Sequence, residues 1–116
     1  MALESDTAST QAIIKALYEG ISRRPGECPD WQRLRPLFIN GARIIPPAAE
    51  GNPPPMWTLE QFTERVNRNV RQLRAKGIEQ GFYERERANR TDTFGSIAHV
   101  WSTYESRWSP NDVEPF

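Results

Sequence analysis

The first helix is predicted by apolar residues that recur at helical spacing from Ile13 to Ile21. Positions three and four residues apart share one side of an α-helix, so this pattern indicates a helix with one buried face. Ser9 or Thr10 can cap its start by accepting a hydrogen bond from an unpaired amide. The run Arg-Arg-Pro-Gly at 23–26 ends it, because proline lacks an amide donor and glycine tolerates the reversal of the chain.

Two further helices are predicted before the last third of the chain. A short one follows the capping residue Asp30 and carries Trp31 on its buried side, and Pro36 forces it to end early or bend. The third begins after Thr58, which forms a capping box with Gln61, and its apolar stripe runs from Leu59 to Leu73. We therefore expect three amphipathic helices, of which the third is the best defined.

Two long runs rich in branched and aromatic residues predict an antiparallel hairpin. They span Ile78–Ala88 and Ser96–Trp108, contain no proline, and are joined by a polar connection at 89–95. Residues 42–45 have the composition of a first, shorter strand. The segment 46–55 contains five prolines and is expected to be an extended loop over one shared core.

These elements predict an α+β fold in which three helices pack on a curved antiparallel sheet. Apolar residues fall on both faces of the hairpin, so both faces are expected to be partly buried. One face carries Ile78, Phe82, Ala98, Val100 and Tyr104, and the other face carries Tyr83, Ile97 and Trp101. Since the helices cover only one face, we expect a homodimer in which a second copy covers the other face of the sheet.

Charge and cysteine content narrow the classes of partner. The length of 116 residues favours a single domain over 1–116. Fifteen basic residues balance fifteen acidic ones, so the chain lacks the net positive charge that would attract nucleic acid or an anionic membrane. Cys28 is the only cysteine and cannot form an internal disulfide. No apolar run approaches the roughly 20 residues of a membrane span, and the first residues are acidic. The chain is therefore expected to be cytoplasmic.

Three segments resemble the nuclear transport factor 2-like superfamily, which includes ketosteroid isomerase-like and SnoaL-like proteins. Ala12–Tyr18 resembles the opening helix of that family, Leu37–Ile44 the entry to its first strand, and Ile97–Tyr104 one of its later strands. The resemblance implies a cone-shaped, cystatin-like fold with a pocket at its wide end. Family members include isomerases, dehydratases, cyclases and binding modules, so the fold alone does not select the function.

The chain departs from this family at two points. Isomerase-like members carry a carboxylate base at the end of the first strand, where this chain has Ile45 and Pro46. The resemblance also implies about two more strands beyond Phe116, so the SnoaL-like domain is expected to be C-terminally incomplete or to complete its sheet differently. An exposed strand edge is then expected near residues 102–108.

Candidate acid–base groups are few. His99 is the only histidine, and histidine is the residue type best suited to acid–base catalysis at physiological pH, which makes His99 the candidate catalytic residue. A lone histidine on a half-buried strand also serves structural roles. Glu84 or Glu105, carried into a pocket with a raised pKa, could replace the absent base. One histidine and one cysteine do not make a metal site, and no cofactor motif is present.

Aromatic residues are the candidate ligand-binding residues. The ring hydroxyl groups of Tyr18, Tyr83 and Tyr104 could donate to a ligand, and Trp57 and Trp101 could form apolar walls. Trp31 has the same chemistry but falls on the buried stripe of a short helix, where core packing explains it.

The leading hypothesis is a SnoaL-like domain that binds a small apolar molecule between helices and sheet, without a cofactor. A cofactor-independent isomerase or dehydratase-like lyase that uses His99 is the first alternative. The second is a protein-interaction or dimerisation domain whose hollow is filled by its own side chains.

Overall fold

The structure of the chain, a computed structural model that describes residues 4–116, is of the α+β class, as the sequence predicts. A 3-10 turn, Glu4–Thr7, leads into α1, Thr10–Ile21. The second helix, α2, spans Trp31–Leu34 and continues as a 3-10 turn, Arg35–Leu37, and α3 spans Leu59–Ala75. The strands are β1, Tyr83–Phe94, and β2, Ile97–Arg107.

Side-chain caps fix the starts of all three helices at the residues that the sequence indicates. The Ser9 side chain accepts a hydrogen bond from the amide of Ala12 at 3.0 Å, and Asp30 accepts one at the start of α2. At α3 the capping box is complete, because the Thr58 amide donates to the Gln61 side chain at 2.9 Å and the Gln61 amide donates to Thr58 Oγ1 at 3.1 Å. Each cap satisfies an amide that has no partner inside its helix.

The helices pack through a few close contacts. Leu34 of α2 is fully buried against Gly20 of α1, where a Cβ atom would lie 2.8 Å from the leucine side chain. Trp31 donates from Nε1 to Asn67 Oδ1 of α3 at 2.9 Å and meets Phe62 edge to face. Trp31, which is half-buried, therefore joins α2 to α3.

The predicted hairpin is present, but its turn is confined to the end of the predicted connection 89–95. β1 begins at Tyr83 rather than Ile78 and continues through the predicted loop to Phe94, and the turn is at Gly95, whose φ is +57°. Tyr83 pairs with Arg107 at one end and Phe94 with Ile97 at the other, with a bulge between Glu86 and Ala88. The polar residues at 89–93 are thus strand residues on a solvent-exposed sheet, where apolar alternation is not required.

The predicted strand at 42–45 is wrong. Ile44 forms only an isolated bridge with Trp57, in which the two amides donate at 2.8 and 2.9 Å. Pro46 and Pro47 follow directly and lack the amide donors that would extend the pairing. Within residues 4–116 the sheet therefore has two strands, and its β2 edge carries no further strand near 102–107.

The hairpin has an inner face toward α1 and an outer face toward solvent. On the inner face the Tyr18 ring lies 5.8 Å from that of Tyr104. On the outer face Phe94, Ile97 and Trp101 are 87, 69 and 47% exposed, so the expected burial of both faces does not hold in the single chain. The radius of gyration is 15.3 Å, against about 13 Å for a compact domain of this length, so the chain is more extended than such a domain.

The described part of the chain contains no helix with the length and apolar character to cross a membrane.

Candidate functional site

A hollow of about 410 Å³ lies between α3 and the root of the hairpin. Its walls carry aromatic rings from three parts of the chain: Trp57 before α3, Phe62 on α3, and Phe82 and Trp108 just outside the two strands. The rings of Trp57 and Phe62 are stacked with centroids 6.3 Å apart, and those of Phe82 and Trp108 are also 6.3 Å apart. Ile21, Pro29 and Val66 complete the apolar lining. The volume falls within the roughly 300–1,000 Å³ typical of small-molecule sites.

Backbone bridges hold these rings in place. The Ile44 bridge fixes Trp57, and the Phe82 amide donates to the Arg23 carbonyl oxygen at 2.9 Å while Phe82 accepts from the Arg23 amide at 2.7 Å. The Gly81 amide donates to the Trp108 carbonyl oxygen at 3.1 Å. A Cβ atom at Gly81 would lie 3.0 Å from the Arg23 carbonyl oxygen, so glycine permits this close approach.

Glu84 is the carboxylic acid of the hollow, and it also lines a second cavity beside α1. Burial raises the pKa of its carboxyl group to about 7, and no charged neighbour contributes to the shift. Near neutral pH the group therefore exists in both protonation states. In the neutral state it can donate one hydrogen bond, and in the ionised state it only accepts.

Arg23 and Arg65 are the cationic groups of the hollow. Arg23 is 7% exposed, and its Nη1 donates to the Gln80 carbonyl oxygen at 2.9 Å. Burial lowers the pKa of its guanidinium, and Cys28 and Tyr83 raise it. Arg65 is exposed and lies over the Trp57 ring with Cζ 4.5 Å from the centroid, a cation–π contact at the rim.

Tyr18 and Glu86 line the second cavity, of about 480 Å³, and are joined by hydrogen bonds through Ser102. Ser102 Oγ donates to Glu86 Oε2, and the Tyr18 hydroxyl lies 2.7 Å from Ser102 Oγ. Since a serine hydroxyl has one proton, Tyr18 donates to Ser102. Burial raises the pKa of the Tyr18 phenol, Ser102 lowers it, and Glu84 and Glu86 raise it. The Tyr18 proton is therefore already engaged, and the predicted donation from Tyr18 to a ligand is not available in this arrangement.

The structure does not bring His99 to either cavity. It is exposed on the outer face of β2, opposite Asp92, and stacks on Trp101 with ring centroids 3.8 Å apart. Trp101 is also covered by Arg90, whose Cζ lies 5.4 Å from its ring. Alternation along β2 places both side chains away from the helices.

The other predicted ligand-binding residues are dispersed. Tyr83 is on the outer face and lines a shallow cleft with Arg107 and Asp112. Tyr104 is 55% exposed beside Tyr18. Of the five aromatic residues selected from the sequence, Trp57 is the one that lines the ring-walled hollow.

The sequence reasoning missed Phe82, Trp108 and Arg23 as lining residues. Phe82 directly precedes β1 and Trp108 directly follows β2, so a prediction of the exact hairpin register would have placed them opposite each other. Arg23 belongs to the run that ends α1, and no local pattern shows that the hairpin root buries it. Phe62 was identified, but as part of the buried stripe of α3.

Glu105 has a structural role. Its carboxylate on the outer face contacts Arg85 at 2.8 Å, Arg87 at 2.8 Å and also Arg107. Hydrogen bonds from Arg107 and Arg87 lower the pKa of the Glu105 carboxyl to about 2. It is therefore permanently ionised near neutral pH and is excluded as a base with a raised pKa.

No cluster of three metal-binding side chains occurs among residues 4–116. No protein-family model matches the chain, and searches of curated proteins and of solved structures likewise give no significant match.

Proposed function

We propose that this chain is a small-molecule-binding domain that takes an apolar ligand into the ring-walled hollow. The observation that carries the proposal is the hollow of about 410 Å³, lined by Trp57, Phe62, Phe82 and Trp108 and supplied with few polar groups. Concave sites with aromatic walls and a few convergent polar side chains are typical of ligand binding. The hollow is open space, which argues against an interior filled by the chain's own side chains.

Binding is favoured over catalysis by the distribution of titratable groups. Two groups with separated pKa values are the usual signature of acid–base catalysis. Glu84 is the one acid of the hollow, and His99 lies on the outer face of the sheet. The arginines that accompany Glu84 do not exchange protons near neutral pH.

A matched pair of tryptophan variants tests this function. Trp57→Ala removes a wall of the hollow, whereas Trp101→Ala removes an exposed ring on the outer face. The neutral probe 2-naphthalenemethanol, titrated calorimetrically, is expected to bind Trp57→Ala about tenfold more weakly than the unaltered chain, because one aromatic wall contributes roughly 1–1.5 kcal/mol. Trp101→Ala should bind it unchanged. Equal loss in both variants, or no binding to the unaltered chain, would refute the proposal.

Acid–base catalysis by Glu84 is a second candidate, favoured by the pKa of about 7 that burial gives its carboxyl group. That value suits a general base near neutral pH, and such a base would replace the one that isomerase-like proteins carry at the position of Ile45. A cofactor-independent isomerase would then exchange a carbon-bound proton of its ligand with solvent deuterium. Glu84→Gln should abolish that exchange; exchange that persists in the variant excludes this candidate.

The assembly we propose is a cytoplasmic homodimer through the outer face of the hairpin. Phe94, Ile97 and Trp101 offer an exposed apolar surface there, and Arg90 and Asp92 lie on the same face with opposite charges. A two-fold interface uses the same patch of both copies, so pairing of this face would bury the exposed apolar residues of each copy against those of the other. Native mass spectrometry should find a dimer that Trp101→Glu converts to a monomer. A monomer of the unaltered chain refutes this assembly.

Membership of the nuclear transport factor 2-like superfamily, as a SnoaL-like domain, is proposed on the order of elements alone. The three helices followed by a long hairpin support it. An experimental structure in which further strands close a cone around α3 would establish the relationship, and a complete two-stranded sheet in the whole protein would exclude it.

A further inference from the structure

Arg23 is the one buried arginine among residues 4–116, and it forms no ion pair with a carboxylate of the described chain. Arg33 contacts Asp6 and Glu19 at 3.0 Å each. Arg23 is more deeply buried, yet within residues 4–116 the titratable groups that act on it are Cys28 and Tyr83, a thiol and a phenol. Its charge in the hollow is therefore not compensated by an acid.

An uncompensated guanidinium in this position is costly. Burying a charge without a partner destabilises a protein, and most ionisable groups escape that cost by becoming neutral. Burial does lower the pKa of Arg23, but arginine remains protonated in proteins. A bound anion would relieve this cost, so the hollow favours a negatively charged ligand group.

The backbone holds Arg23 in place for such a contact. Its amide and carbonyl groups are both paired with Phe82, and Nη1 donates to Gln80. These bonds leave Nε and Nη2 without an acceptor among the described residues. No fully buried side-chain nitrogen or oxygen of the described chain lacks a partner, so these two nitrogens keep some accessible surface, and Arg23 lines the hollow. Two adjacent guanidinium donors match the two oxygens of a carboxylate.

We propose that the ligand of the hollow is an apolar monocarboxylic acid whose carboxylate pairs with Arg23 while its apolar body lies against Trp57, Phe62 and Trp108. This inference rests on the proposed ligand-binding function. A single negative charge is specified because one buried guanidinium supplies one compensating charge, and Glu84 in the same hollow opposes the entry of a dianion. Arg65 at the rim adds positive charge at the entrance.

A matched set of probes tests the ligand class. The probes are 2-naphthoic acid, its neutral isostere 2-naphthamide and the cation 2-naphthylmethylamine, each titrated calorimetrically at pH 6.5. We expect the acid to bind at least tenfold more tightly than the amide. Arg23→Gln should weaken binding of the acid by about 10- to 100-fold, the range for a hydrogen bond to a charged group, and leave binding of the amide within about threefold. Arg24→Gln, at the exposed neighbouring position, is the matched control and should still bind the acid more tightly than the amide.

The outcomes separate this inference from the function on which it rests. If acid and amide bind with equal affinity, or if the amine binds best, the hollow is a ligand site but the Arg23 assignment is overturned. If none of the probes binds, both proposals fail. If Arg23→Gln does not fold, Arg23→Lys replaces it as the test variant, because lysine keeps the positive charge but lacks the two adjacent guanidinium nitrogens. If Arg23→Lys binds the acid in preference to the amide as strongly as the unaltered chain does, the bidentate contact is overturned.

Discussion

Replacing Glu84 by glutamine should make the protein more stable above pH 7 and leave its stability almost unchanged near pH 4.5. The folded-state pKa of this carboxyl is about 7, whereas the unperturbed value is 4.5. Between these two values the folded state holds a proton that the unfolded chain releases. The contribution of Glu84 to stability is therefore full below about pH 4.5 and is lost as the pH rises to about 7.

The magnitude follows from the same shift. At about 1.4 kcal/mol per pKa unit, the difference between about 7 and 4.5 sets an upper limit of about 3.5 kcal/mol on the loss. Glu84 is only partly buried, and water screens it, so we expect about 1–2 kcal/mol. Arg23 and Arg65 face the same hollow and Glu86 faces the second cavity, but burial alone accounts for the shift. Glutamine has nearly the same shape as glutamate and no charge, so the stability of the variant should not fall in this way as the pH rises.

Urea denaturation of both proteins across pH 4.5–8.5 measures the effect. The free energy of unfolding of Glu84→Gln, relative to the unaltered chain, should rise by about 1–2 kcal/mol between about pH 4.5 and pH 7 and then remain constant. Glu27→Gln, at an exposed position between α1 and α2, is the control and should give a difference that does not change with pH in this way. A flat difference for Glu84→Gln as well would show that the hollow does not desolvate this carboxyl group.

Three further substitutions test the packing and the outer face. Leu34→Ala should lower the free energy of unfolding by about 2–4 kcal/mol in urea denaturation, because Leu34 is 1% exposed; a cost below about 1 kcal/mol would contradict its place in the core. Gly20→Ala should destabilise by about 1 kcal/mol although alanine favours helices, because the new Cβ would lie 2.8 Å from Leu34; a gain in melting temperature would contradict that contact. Glu105→Gln should melt below the unaltered chain at pH 7, and the gap should narrow as the pH falls from about 4.5 toward the Glu105 pKa of about 2; a gap independent of pH would exclude the ionised arginine cluster.

The helices were predictable because their signals are local. Asp30 and the Thr58–Gln61 capping box act on amides within three residues, so the sequence alone identifies them. The strand at 42–45 was not predictable in the same way, because whether branched residues pair depends on a partner elsewhere. Ile44 found a single partner, Trp57.

The hairpin was predictable in kind but not in how far β1 extends into the predicted connection. Residues 89–93 are polar because the tip of the hairpin is exposed, and a polar run resembles a loop when only local pattern is considered. Gly95, which adopts a positive φ, marks the true turn.

The site depended most on tertiary structure. The sequence identified Trp57 as a pocket residue and Glu84 as an acid worth testing, and both line the hollow. It could not place Arg23 or Trp108 there, because their burial and position follow from how the hairpin root meets the end of α1. It selected Trp101 for its ring, although alternation along β2 directs that ring outward.

The most direct test of the central claim, that an apolar ligand enters between α3 and the hairpin root, uses the indole N–H signals of the tryptophans. In a ¹H–¹⁵N spectrum recorded during titration with 2-naphthalenemethanol, the signals of Trp57 and Trp108 should shift together with one dissociation constant, while that of Trp101 on the outer face stays in place. A shift of Trp101 alone, or no shift of Trp57 and Trp108 at saturating probe, would contradict the account.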